Sequence, residues 1–381
     1  MLLILMYLCM LKAYKYRMYP TKEQQEMFFK HFGACRFIYN WGLEQKIKTY
    51  EQDGKSISRF DLNKGITILK RGDYEWLKEV NAQSLQGATL NLDNAFTKFF
   101  REKKGFPKFK SRKNPVQAFN VPQNYKIDIE DNRVFLPKIG NVKTILHRNI
   151  GKGCLKTATV SRTSTGKFSI SILVDDGLEF PKKAEILVND TVGVDVGIKN
   201  FAITSKGDKI DNPRHLKNSM KRLKVLSKRL SRKQKGSSNR NKARHQIAKL
   251  HDKISNQRHD FQHKVSKKLV SENQAIAVET LNVSGMLKNH HLAEHIADAS
   301  WSSFVEKLEY KAEWYGKTIL RIGQFEPSTK ICNVCGYHNG KLTLADRQWV
   351  CPECNTTHDR DINAAINIKK FALQEQNLIG I

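Results

Sequence analysis

The sequence lacks any long hydrophobic run. Its apolar opening, MLLILMYLCML (residues 1–11), is too short to span a bilayer and has neither a basic leader nor a small-residue cleavage site. No membrane partner and no secretory signal are therefore expected, and Met10 in MLKAYKYRMYPT reads as a more natural start, which makes residues 1–9 an upstream extension. Disulfide-forming cysteines are also lacking. Of seven cysteines only Cys9, Cys35 and Cys154 lie outside two CxxC pairs, a usage that suits buried thiols in a reducing cytoplasm. Acidic residues are scarce: 37 Asp and Glu against 66 Lys and Arg leave a formal charge of +29 on 381 residues. A charge of that size calls for a polyanionic partner, because Lys and Arg contacts to phosphate supply most sequence-independent affinity for nucleic acid. The 40% hydrophobic content argues for a globular chain of two or three domains rather than disorder.

Residues 11–19 (LKAYKYRMY) alternate basic and apolar side chains, which predicts a strand with Lys15 and Arg17 on its basic face. Thr21 and Gln24 make a capping box for a helix whose apolar stripe is Phe28, Phe29, Phe32, Cys35, Ile38 and Tyr39. A second helix is expected over about 82–101, with Leu85, Ala88, Leu92, Ala95, Phe96 and Phe99 in a bundle core. The next segment interleaves Lys108, Lys110, Arg112 and Lys113 with Phe106 and Phe109, a pattern suited to touching phosphates and packing rings. Residues 117–190 break into short alternating runs separated by Gly, Pro, Asn and Asp, which predicts a small β-barrel or sandwich. Residues 214–268 carry 19 Lys and Arg against two acids, with leucines and isoleucines at helical spacing and a break at Gly236–Asn239. A basic helical hairpin follows, with Arg229, Arg232 and Lys233 as candidate phosphate contacts; a coiled coil would pair its charges.

Two pairs, Cys332/Cys335 and Cys351/Cys354, are separated by 15 residues, the ligand set of a closed tetrahedral Zn²⁺ site. Three acids occupy costly positions. Asp195 interrupts the apolar strand TVGVDV, Glu279 ends the strand QAIAVE, and Asp361 opens an apolar helix just after the second cysteine pair. They are 84 and 82 residues apart, and spacing cannot show that they converge. If they do, hard oxygen ligands would hold one or two Mg²⁺ ions for phosphodiester hydrolysis. Asp359 is the competing candidate in the same segment, and a helix cap is the simpler reading of either aspartate. Gly193 and Gly197 leave room for another backbone or a ligand beside Asp195.

The segments LKAYKYRMYPT, FGACRFIYNWGL, GFPKFKSR, GVDVGIKNFA, AVETLNVSGM, EYKAEWYG, PSTKICNVCG and CPECNTTHDRDINAAINI together resemble the TnpB (OrfB) family, transposon-encoded RNA-guided endonucleases related to type V CRISPR effectors. The likeness runs from about residue 11 to about 370. It implies an α/β and β multidomain architecture with an RNase H-like (RuvC) nuclease domain. The implied parts are a first wedge strand at 10–19, a helical recognition module at 20–115, a wedge β-barrel at 116–190, the nuclease domain at 191–325 with its basic hairpin at 214–268, a zinc ribbon at 326–356, and the nuclease end and tail at 357–381. It implies that Asp195, Glu279 and Asp361 are the catalytic Mg²⁺ ligands, and that Asp359 is a cap or supporting residue. The partners implied are a guide RNA from the transposon end and a double-stranded DNA target beside a short flanking motif, with a monomer in the ribonucleoprotein of a prokaryotic cytosol. The alternatives are a DNA transposase performing strand transfer, a non-cleaving RNA-guided regulator, and a plain zinc-ribbon DNA-binding protein. The last leaves acids in apolar strands unexplained.

Overall fold

The computed structural model describes residues 9–151, 153–290, 292–324, 326–343 and 345–380. The expectation of an upstream extension over 1–9 thus lies almost entirely outside the described residues. The chain divides into two compact units, the first ending at Glu179 and the second starting at Phe180. This break precedes the expected boundary at 190. The reason is local: Thr191 Oγ1 donates to the Leu187 carbonyl at 2.7 Å, and Ile186 packs against the core cluster that includes Ala277 and Ile368, so the linking segment belongs to the second unit.

The first unit is built from β1 (Cys9–Tyr19), α1 (Lys22–Asp53), α2 (Arg59–Arg71), α3 (Ala82–Arg101), β2 (Val116–Val121), β3 (Lys126–Asp128), β4 (Arg133–Leu136), β5 (Gly140–Ile145), β6 (Cys154–Thr163) and β7 (Phe168–Glu179). The seven strands form one antiparallel sheet in the order β2-β6-β7-β1-β5-β4-β3. Strand β1 sits inside it because Tyr16 and Met18 are buried on one face while Lys15 is exposed on the other. Among the described residues no ladder joins β2 to β3, so the hydrogen-bonded sheet has two ends where a closed barrel would have none.

The Thr21–Gln24 capping box forms as expected and starts α1. Phe28, Phe32, Cys35, Ile38 and Tyr39 are buried, but Phe29 is 46% exposed. One residue turns a helix by about 100°, which carries Phe29 off the core stripe and onto the rim, where Arg162 lies 5.1 Å from its ring. Of the expected α3 core, Leu85, Ala88 and Leu92 are buried, while Phe96 and Phe99 are half-buried. Their rings meet Phe106 instead, at 5.6 and 5.4 Å. The sequence reading leaves α2 unassigned, since it buries only Leu62 and Ile66.

The second unit contains β8 (Thr191–Val196), β9 (Asn200–Thr204), β10 (Lys209–Asp211), α4 (His215–Ser231), α5 (Ser238–Glu272), β11 (Ala275–Glu279), α6 (Val283–Met286), α7 (Ala293–Ala299), α8 (Trp301–Trp314), β12 (Thr318–Ile322), β13 (Gln348–Val350), β14 (Thr357–Asp359) and α9 (Arg360–Glu375). Its main sheet has the order β10-β9-β8-β11-β12. Strands β8, β11 and β12 are parallel, while β9 runs antiparallel beside β8 and β10 antiparallel beside β9. The parallel strands read as continuous apolar runs because both of their faces are covered. Phe201, Phe304, Val192 and Leu269 belong to one core cluster and Ala277, Ile322 and Ile368 to another. Helices α4 and α5 make the expected basic hairpin, which is four residues longer than 214–268 at its end. Its seam is uneven. Leu250, Ile254, Val265 and Leu269 of α5 are buried, whereas α4 buries no residue and leaves Leu223, Leu226 and Leu230 half-covered. Among the described residues no helix is long and apolar enough to cross a membrane.

Candidate active site and the adjoining cysteine cluster

Strand register brings the first two acids together. In the parallel pair of β8 and β11, Val194 stands opposite Val278. The next residues, Asp195 and Glu279, therefore project side by side on one face at the carboxyl ends of their strands. The third acid arrives on α9. Two residues before Asp195, on the same face, is Gly193. A Cβ there would stand 2.0 Å from the Ala365 carbonyl and 2.8 Å from the Lys369 amide. The helix backbone thus lies directly on the strand at a point where only glycine fits. One helical turn before Ala365 is Asp361, which this crossing carries toward Asp195. Gly193→Ala should push α9 off β8 at a cost of about 3 kcal/mol, read as a lower melting temperature of the second unit. A melt identical to the parent's would refute this account of how Asp361 is placed.

The electrostatics bear the mark of that convergence. Burial, then the Glu279 and Asp361 carboxylates, push the Asp195 carboxyl up to about 7, with Arg360 opposing. Burial also raises Glu279, against a hydrogen bond from Ser328 Oγ to its Oε1 at 2.5 Å. Asp361 is held by two arginines. Arg360 donates Nε and Nη2 to its Oδ1 at 3.0 and 2.8 Å, and Arg347 Nη1 lies 3.3 Å from its Oδ2. Asp359 is the N-cap of α9: its Oδ1 accepts from the Asp361 and Ile362 amides, both at 3.1 Å, and Lys209 Nζ donates to its Oδ2 at 2.6 Å. The two aspartates of HDRD so take different jobs, one capping the helix and the other facing the acids on the sheet.

The four cysteines form a separate centre. Their Sγ atoms all lie within 4.8 Å of one another, with Cys332–Cys354 at 3.7 Å and Cys335–Cys351 at 3.5 Å. A tetrahedron with metal–sulfur bonds of about 2.3 Å has edges near 3.8 Å, so the cluster fits zinc. Both knuckles are built alike. The residue after each pair, Gly336 (φ 79°) or Asn355 (φ 54°), is left-handed, the conformation that glycine and asparagine tolerate best. The Gly336 amide donates to the Cys332 carbonyl at 3.0 Å and the Asn355 amide to the Cys351 carbonyl at 2.9 Å. Each knuckle is itself a hairpin tip, one closed by the Ile331–His338 bridge and the other by β13 and β14. Because β14 ends at Asp359, the ribbon runs past its expected limit of 356 directly into α9. His358, on β14, puts Nε2 at 3.1 Å from Cys332 Sγ and packs its ring on Trp349.

Among the described residues only the four cysteines bring three or more ligand atoms within 4.8 Å of each other, so the three carboxylates stand wider apart than the thiols. Sequence reasoning missed Arg347, Arg360, Ser328, Asn363 and Asn367. The last two had a signal: polar side chains four apart on the buried stripe of a helix. Of the candidate phosphate contacts, Lys15, Lys108, Arg112, Arg229, Arg232 and Lys233 are exposed, and Arg17 is half-buried with its guanidinium 5.5 Å from the Tyr19 ring. Lys110 is tied into the first unit, with its Nζ 3.9 Å from the Tyr39 ring centroid and its backbone bonded to Asn40.

Fold and site together define a mixed α/β protein with two acids side by side at strand ends, a third at a helix start, and a four-cysteine ribbon. Three family models match: "Probable transposase" of the OrfB_IS605 type over residues 171–290, a "Cas12f1-like, TNB domain" over 301–368, and the OrfB_IS605 "Helix-turn-helix domain" over 6–55. The chain is 37% identical over 360 residues to a protein of Streptomyces pristinaespiralis, covering 94% of this chain and 88% of that one. It is 31% identical over 374 residues to InsQ of Escherichia coli K12, covering 94% and 91%. Both relatives carry the name "Putative RNA-guided DNA endonuclease". The chain belongs to the OrfB (TnpB) family. It also shares its fold with the protein of a Cas12f1–sgRNA–target DNA complex, at 15% identity and a TM-score of 0.59 over 95% of this chain and 99% of that one.

Proposed function

We propose that the protein is an RNA-guided DNA endonuclease that hydrolyses phosphodiester bonds at Asp195, Glu279 and Asp361 in an RNase H-like domain. The observation that carries this reading is the strand register that sets Asp195 beside Glu279, with Asp361 near enough for its charge to act on Asp195. Half-buried acids drawn together in this way are matched by a divalent cation, and an all-oxygen donor set suits magnesium. The strand order, with three antiparallel strands leading into two parallel ones, supports the RNase H-like assignment. So does the position of two acids at the carboxyl ends of adjacent parallel strands. The near full-length similarity to relatives named for RNA-guided cleavage supports the substrate.

In the mechanism that follows, Asp195 and Glu279 are fixed by the sheet and Asp361 by the helix crossing at Gly193. Magnesium held there would activate a water and steady the leaving oxygen. Arg347 and Arg360 orient Asp361 through both of its carboxylate oxygens and offset charge at the site. The exposed Lys and Arg of the basic hairpin bind backbone phosphate, while base pairing to a transposon-end guide reads the DNA sequence. The four cysteines would hold zinc as a structural element. The test is to purify the protein from its host and sequence the RNA that comes with it. A discrete transposon-end RNA is expected. RNA of random origin would contradict the guided reading, and joining of DNA ends without RNA would favour strand transfer instead.

A further inference from the structure

Glu279 is held by more than its own strand. Ser328 lies in the segment between β12 and the first cysteine pair and is buried to 3% exposure. Its hydroxyl donates to Glu279 Oε1 at 2.5 Å, and its carbonyl accepts from Asn367 Nδ2 at 2.7 Å. The same Asn367 amide reaches the carbonyl of Ile331, the residue before Cys332, at 2.6 Å. One turn earlier on α9, Asn363 Nδ2 donates to that carbonyl at 2.7 Å, and its Oδ1 accepts from the amide of Asn333, the residue after Cys332, at 3.0 Å. Asn363 and Asn367 are 1% and 2% exposed. Two buried amides of α9 therefore grip the backbone on both sides of a cysteine ligand, and the same stretch of backbone carries the hydroxyl that holds Glu279. Buried amides are costly unless paired, so these bonds define one arrangement of knuckle, helix and strand end.

We infer that Ser328 is a positioning residue for Glu279, and that Asn363 and Asn367 tie its position to the first cysteine knuckle. The folded ribbon then sets the geometry of a carboxylate that belongs to the proposed cation site. The inference rests on the proposed reading of Asp195, Glu279 and Asp361 as that site.

The test uses full-length protein first saturated with zinc, and follows Mn²⁺ binding by electron paramagnetic resonance alongside zinc content and thermal melting. Ser328→Ala is expected to keep its zinc and its melting transition but to weaken Mn²⁺ binding about 10-fold, the usual loss when a group supporting a metal ligand is removed. Ser328→Thr, which keeps the hydroxyl, should restore most of it. If the alanine variant fails to fold, Ser328→Cys makes the same comparison with a weak donor of similar size. Parent-like Mn²⁺ affinity in a folded alanine or cysteine variant would overturn the inference. Asp195→Ala is the control on the underlying reading. If it too binds Mn²⁺ like the parent, the carboxylate site itself is wrong; if it loses Mn²⁺ while Ser328→Ala does not, only the positioning role falls.

Discussion

Asp195→Ala is expected to lower guided DNA cleavage by roughly 10³-fold or more, as removal of a central catalytic group does, while binding of RNA and DNA persists. The loss follows from the position of Asp195 beside the other two acids, both of whose charges act on it. The same residue makes a prediction about stability. Its folded-state pKa of about 7 lies above the unfolded value of about 3.9. Between those values the folded chain binds more protons than the unfolded one, so in magnesium-free buffer stability should fall as pH rises from about 4 through about 7, with the full penalty present above about 8. Asp195→Asn removes this slope and should melt higher than the parent at pH 8. Added Mg²⁺ should raise the parent's melting temperature there and leave the asparagine variant little changed. Flat, parallel melting curves for the two proteins would show that no buried charge is stored at this position.

Cys351→Ser should have the second large effect. Cys351 is fully buried, and its carbonyl and amide both close the second knuckle. Structural zinc sites of this kind contribute about 10–16 kcal/mol of apparent binding free energy, which is folding free energy for the segment around them. The variant is expected to lose its zinc and the near-ultraviolet signal of Trp349, which packs on His358 between the strands of the ribbon. Damage should not stop at the ribbon. Asp359 belongs to β14 and is also the N-cap of α9, and Arg347 reaches Asp361 from just before β13. Cleavage should therefore fall with the ribbon, while the first unit, whose core cluster is made of its own residues, keeps its melting transition. Full cleavage by a zinc-free variant would separate the ribbon from the site.

Most elements were legible in the sequence because their periodicities are unmixed. The alternating runs between 117 and 175 became β2 to β7, and the repeat over 82–101 became α3 with those bounds. The cysteine spacing likewise specified a cluster whose sulfur separations suit one ion. The register that sets Asp195 beside Glu279 could not be read, since pairing between strands 84 residues apart leaves no local pattern. Gly193 was readable as a close approach but not as an approach by α9. Between the two aspartates of HDRD, local pattern favours neither; the choice depends on which one the helix start consumes as its cap, and Asp359 is that residue. Ser328 and Arg347 had no sequence signal at all, because each acquires its partner only through tertiary contact. The barrel expectation shows the opposite limit: alternation specifies strands and their faces, but closure depends on twist and stagger that a single strand does not encode.

The most direct measurement of the central account is reprogrammed cleavage. Purified protein carrying its transposon-end RNA, with the guide segment exchanged for a new sequence, is given Mg²⁺ and two DNA duplexes that share the native flanking motif, one matching the old guide and one the new. Cutting should move to the duplex that matches the new guide and vanish in Asp195→Ala. Cutting that ignores the exchange, or survives in the variant, would contradict the account.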